Sequence, residues 1–97
     1  MLFFIHFTSS ATEDLVFYPV TYQRAIVDAI RIHLTHDADQ ESRRRKRLSE
    51  NPFAPWELRA GDFRIFYTFE GESDLKIIAI GHKIHNDLFI RGKRVEL

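Results

Sequence analysis

The chain has 97 residues, 44% apolar and 29% charged, with 14 basic residues balanced by 14 acidic ones. That length fits one small domain over residues 1–97, whose modest core can draw on nine Phe, three Tyr and one Trp. Zero net charge excludes coating of nucleic acid by bulk charge, and the lack of Cys excludes disulfides and thiolate metal sites.

Residues 2–7, "LFFIHF", form an apolar, aromatic run that predicts a buried strand. The opening "MLFFIHF" is too short for a signal-peptide core and lacks a basic leader. No apolar run approaches the roughly 20 residues of a membrane span. A soluble, cytoplasmic protein with no membrane partner is expected.

"SSATEDLVFY" follows, where Ser10 and Glu13 fit a capping box opening a short helix to about Tyr18. Pro19 ends that helix and suits the start of the next, since its missing N–H is an unpaired first-turn donor anyway. From Val20 to about Leu34, Tyr22, Ile26, Ala29, Ile30 and His33 recur at three- and four-residue spacing, one face of an amphipathic helix. The two helices make a helical hairpin.

Residues 35–55 carry few apolar side chains and two prolines, and read as a long loop. It contains an unbroken basic run, Arg43, Arg44, Arg45, Lys46 and Arg47. Three strands are then predicted: Trp56–Arg59, Phe63–Phe69 and Leu75–Ile80, separated by "AGD" and "EGESD" turns. A fourth, within "DLFIRG", closes the chain. The order β-α-α-β-β-β, with that last strand, predicts an α+β domain with the helical hairpin on one face of an antiparallel meander.

Within this sheet Arg64 stands out. Alternation puts Phe63, Ile65, Tyr67 and Phe69 on one face and Arg64, Phe66 and Thr68 on the other. A turn at Ala60-Gly61 or Gly61-Asp62 then gathers Glu57, Arg59 and Arg64 on the face away from the helices. On residues alone the ordinary reading is a solvated face where Glu57 pairs with Arg64, a contact that stabilises by less than about 1 kcal/mol. His6 and His33 read as packed core histidines, and Tyr18, Tyr22 and Trp56 as core. His82 and His85, three apart without Cys, are a weak metal signal, so neither metal nor cofactor is expected.

The complete pattern resembles the RelE/ParE superfamily of bacterial type II toxins. The likeness rests on "PWELRAGDFRIFY" and "IIAIGHK" within the β-α-α-β-β-β order, and looks most like RelE-like proteins with an "APWELR" strand and a "GHK" strand end. The resemblance implies a ribosome-dependent mRNA endonuclease that uses no metal: the 2′-hydroxyl of the message attacks its neighbouring phosphate in the ribosomal A site. It assigns phosphate stabilisation to Arg64, the strand-end basic pair to His82 and Lys83, and the family's "K-L" segment before the first sheet strand to Lys46, Arg47 and Leu48.

Two positions depart from RelE. Phe89 stands where RelE has a tyrosine that moves a proton, and Glu57 where it has a lysine. His82 or His85, acting with Glu57, takes the proton-transfer role in this reading, as some relatives use His and Glu. Arg43 to Arg47, Arg59 and Arg91 are then contacts to message or ribosomal RNA backbone, which position and do not specify. The implied partners are a cognate antitoxin and the ribosome, with operator DNA met only through the antitoxin. The same fold serves ParE-like, non-catalytic inhibitors of DNA gyrase, and a degenerate, non-toxic member that binds its antitoxin is the third alternative.

Overall fold

The computed structural model describes all 97 residues. It is an α+β fold. Strand β1 (Phe4–Phe7) leads through Thr8 into helix α1 (Ser9–Val16), and α2 (Val20–Leu34) follows after Pro19. Strands β2 (Arg45–Arg47), β3 (Trp56–Ala60), β4 (Phe63–Glu70), β5 (Asp74–Ile84), β6 (Asp87–Ile90) and β7 (Lys93–Val95) complete the chain. They lie side by side in sequence order, all antiparallel, and β1 joins β5 in parallel. No helix is long and apolar enough to cross a membrane.

Helix α1 starts on another residue than its capping signal suggests, whereas α2 spans the expected Val20–Leu34. Thr8, extended at the end of β1, is the N-cap of α1, its hydroxyl accepting the Ala11 amide at 3.0 Å. The expected Ser10–Glu13 box does not form, because the cap position is already filled and Glu13 reaches Arg91 instead. Pro19 stands at the N-cap of α2, outside its first turn.

The helix pair covers one sheet face over a cluster that includes Ile26, Ile30, Leu34, Leu58, Ile65, Tyr67, Leu75, Ile77 and Ile80. Trp56 and Tyr18 belong to it as expected. Tyr22 does not: it is 52% exposed on the rim of α2. His6 is exposed and bonded to Asp74, and His33 is half-buried at the end of α2. β1 is mostly exposed because it borders the sheet, and only its neighbour Phe3 is fully enclosed.

The basic run is not a loop throughout. Arg45–Arg47 pairs antiparallel with β3, with Arg45 opposite Leu58 and Arg47 opposite Trp56. The free edge of β3 supplies ladder partners that no local apolar pattern announces. β5 is likewise longer than its apolar run, because β6 pairs with its polar end from His82 to Ile84.

β5 is the spine of the sheet. β1 pairs with its first part, ending at Phe7↔Ile77, and β6 with its last, beginning at His82↔Phe89. Between them that edge of β5 has no strand partner, and α1 packs there. Asp14, 1% exposed, accepts the Ile80 amide at 3.0 Å and lies 2.9 Å from Arg91. The Thr8 hydroxyl donates to the Ile78 carbonyl nearby. Burial pushes the Asp14 carboxyl above its usual range, opposed by the Ile80 amide and the Arg91 charge.

Candidate functional site

The site is built on the β3–β4 hairpin. Ala60 pairs with Phe63, so Gly61-Asp62 is a two-residue turn, and Gly61 takes the positive φ of 60° that such a turn demands. This register places Arg59 directly opposite Arg64 and Glu57 opposite Phe66, all on the face away from the helices. Two like charges face each other across the strands. The expected Glu57–Arg64 pair is absent, since Arg59 Nε donates to Glu57 at 2.8 Å within its own strand. Glu57 is 2% exposed, so this ion pair has one buried end.

Arg64 folds back on its turn. Its Nη1 donates to the Gly61 carbonyl at 2.7 Å and the Phe63 carbonyl at 2.9 Å. Its Nε is buried and has no acceptor. Burial lowers the guanidinium pKa from its ordinary value, the Glu57 charge opposes that, and Arg59 adds to it. Around it lies a hollow of about 260 Å³ lined by Arg43, Arg44, Arg59, Gly61 and Arg64, with no carboxylate in its wall. Four arginines share this hollow and only Arg59 has a carboxylate partner, Glu57, so the arrangement can accommodate an anion. Guanidinium forks match phosphate oxygens in particular.

The strand-end pair is divided. Lys83 shares the parity of Gly81, which lies opposite Arg64, and so belongs to the Arg64 face; its amide donates to the Asp62 carbonyl. His82 lies opposite Phe63 and Phe89, on the helix side. Its Nδ1 is hydrogen-bonded to the Tyr18 hydroxyl at 2.7 Å, and its ring stacks on Phe89 at 5.8 Å. Adjacent residues of one strand cannot point to one face, so His82 does not join Arg64. His85 is exposed in the β5–β6 turn with φ 56°.

Other predicted contacts also separate. Arg43 and Arg44 line the hollow. Arg45 is turned inward, donating to the Gln40 and His33 carbonyls. Arg47 lies over the Trp56 ring at 5.8 Å, and Lys46 is opposite Glu57. Arg91, expected to touch RNA, is held by Asp14 and Glu13 and fastens the β6–β7 turn to α1.

The far face is not open along its length. Phe66, Ala79, Leu88 and Ala54 form a second buried cluster, with Phe53 stacked on Phe66 at 5.6 Å. Asn51 folds this covering loop by accepting the Phe53 and Ala54 amides. The arginine hollow is therefore confined to the hairpin end. Sequence reasoning missed two polar groups, Asp14 and the Tyr18 hydroxyl. Asp14 in mid-helix beside apolar residues was a readable signal of a buried polar partner; the Tyr18–His82 bond had none.

A family model described as the ParE toxin of the type II toxin–antitoxin system parDE matches residues 5–85. No curated protein matches the chain in sequence. Among solved structures, the chain is similar to one from the toxin–antitoxin complex RelBE2 of Mycobacterium tuberculosis, at 21% identity and a TM-score of 0.64. That likeness covers 86% of this chain and 100% of the other.

Proposed function

From the premise that this chain belongs to the ParE toxin family, within the RelE/ParE superfamily of type II toxins, we propose that it is a ribosome-dependent mRNA endonuclease of the cytoplasm. The observation that carries this reading is the arginine hollow at the hairpin end, where Arg64 has a buried, unfilled Nε–H. A message phosphate seated there meets guanidinium groups from two strands and the preceding loop. Such fixed charge stabilises the pentacoordinate phosphorane formed when the 2′-oxygen attacks. The 5′-oxygen then leaves, giving a 2′,3′-cyclic phosphate and a 5′-hydroxyl.

Arg64 holds the phosphate in this mechanism, and Lys83, on the Arg64 face by register but lining the neighbouring hollow, adds a more distant point charge. Glu57, the carboxylate of the same face, takes the 2′-hydroxyl proton. His85, on its exposed turn, supplies the proton to the leaving oxygen. Arg43, Arg44 and Arg59 hold the flanking backbone. The protein partner is a cognate antitoxin, consistent with the toxin–antitoxin complex that contains the similar structure.

A second reading, a non-catalytic inhibitor of DNA gyrase, is favoured by one observation. Glu57 is buried and tied to Arg59, and His82 lies on the opposite face, so Arg64 has few free proton-transfer groups beside it. Expression of the chain, with 5′-end mapping of cellular mRNA and a plasmid supercoiling assay, separates the two. Cleavage within translated messages that vanishes with Arg64→Ala supports the nuclease. Intact messages with blocked supercoiling replace it by the gyrase reading.

A further inference from the structure

A second hollow, of about 570 Å³, lies on the other side of the Gly61 turn, between α2 and the strand ends. Its walls are aromatic: Tyr22 and Phe63 lie 5.7 Å apart, and Tyr18 meets Phe63 edge-on at 5.4 Å. Its polar lining is mostly basic or imidazole, with Arg44, Lys83, His33 and His82 against the single carboxylate of Asp62. Arg44 and Gly61 line both this hollow and the arginine hollow. A Cβ at Gly61 would meet nothing within 4 Å, so no neighbouring atom crowds the turn that the two hollows share.

We propose that this aromatic hollow is a nucleobase subsite, taking one base of a single-stranded RNA whose neighbouring phosphate occupies the arginine hollow. The proposal rests on the phosphate reading of Arg64 and adds a second contact to it. A flat, uncharged ring on a charged backbone fits the pairing of an aromatic wall with a cationic ridge. Tyr22 explains itself in this arrangement. It is a large aromatic side chain, half in solvent, leaning on Phe63 at the mouth of the hollow. His82 contributes its remaining ring nitrogen, Nε2, because Nδ1 is already engaged by Tyr18.

The test measures binding of the purified chain to a short single-stranded RNA and to an abasic ribose-phosphate oligomer of equal length and charge. Tyr22→Ala is expected to weaken RNA binding about tenfold, the loss of one base–aromatic stack, and to leave the abasic oligomer unaffected. Tyr22→Phe restores RNA binding. Arg64→Ala weakens both ligands, since both carry the phosphate. Equal effects of Tyr22→Ala on the two oligomers, no effect on either, or no binding of RNA at all overturns the base subsite. So does release of a co-purified antitoxin by Tyr22→Ala with RNA binding intact, which makes the hollow a protein groove. If Tyr22→Ala discriminates and Arg64→Ala changes neither ligand, the base subsite stands and the phosphate role of Arg64 falls.

Discussion

His82 and Lys83 are neighbours in β5 yet leave it on opposite faces, and those faces are organised differently. On the helix side, two helices close a continuous apolar cluster, into which the Tyr18–His82 pair enters at one end. On the far side the cover is a short loop whose Ala54 packs on three buried sheet residues, and charge is crowded at one end with Arg59 facing Arg64. The first face carries most of the buried core, with a hollow only at its rim. The second tolerates an unfilled donor and like charges across a strand pair. Where a fold keeps such unfavourable contacts, function is the economical explanation.

The sharpest break of this contrast is Arg64→Ala. If the far face serves a phosphate, message cleavage falls about a hundredfold or more, the usual loss for one transition-state donor. The urea midpoint changes little, because removing a buried N–H without an acceptor offsets the loss of the Nη1 bonds to the Gly61 and Phe63 carbonyls. A fall in both activity and midpoint makes Arg64 a structural residue.

Phe66→Ala asks whether the apolar part of the far face is true core. Its stacked contact with Phe53 and full burial predict a loss of about 3–5 kcal/mol in urea unfolding. A loss below about 1 kcal/mol makes the loop a loose flap and lengthens the open face. Glu57→Gln weakens the buried, charge-assisted bond to Arg59 and is expected to destabilise by about 1.5–3 kcal/mol, read from the same curves.

Tyr18→Phe has the smallest effect, about 1 kcal/mol at neutral pH from one hydrogen bond. Its signature is in alkali. Burial, with the Asp14 charge, raises the Tyr18 hydroxyl from 10.0 to about 12. The unfolded chain therefore loses this proton first. The stability it contributes is complete below pH 10 and drains away as pH rises toward about 12. Denaturant curves across that window show a shallower decline for Tyr18→Phe than for the parent chain.

Much of the frame was legible in the sequence. A period of two placed Arg64, Arg59 and Glu57 on one face for either turn, Ala60-Gly61 or Gly61-Asp62, and the pairing of Ala60 with Phe63 selects the second. The same period argues against pairing His82 with Lys83, since adjacent strand residues diverge; the family pattern alone joined them. β2 was hidden because a strand of arginines has no apolar alternation, and only the open edge of β3 makes it a strand. Arg45 and Arg91 read as free cations because their partners are set by tertiary packing: the His33 carbonyl in one case, Asp14 in the other. The loop over Phe66 was likewise invisible, although Phe66 already broke the polar pattern of its face.

The parallel seam between β1 and β5 has a consequence in time. Every β1 residue pairs with one far along the chain, Phe4 with Asp74 and Phe7 with Ile77. A chain leaving the ribosome makes its first strand early and must hold it unpaired until β5 has emerged, since long-range pairings form last. Lys83 lies beyond that point, at the end of the same strand. The hairpin arginines are thus made before β5, while the seam that closes the sheet and the Lys83 end of β5 come last, so β1 waits as an unpaired strand through most of synthesis.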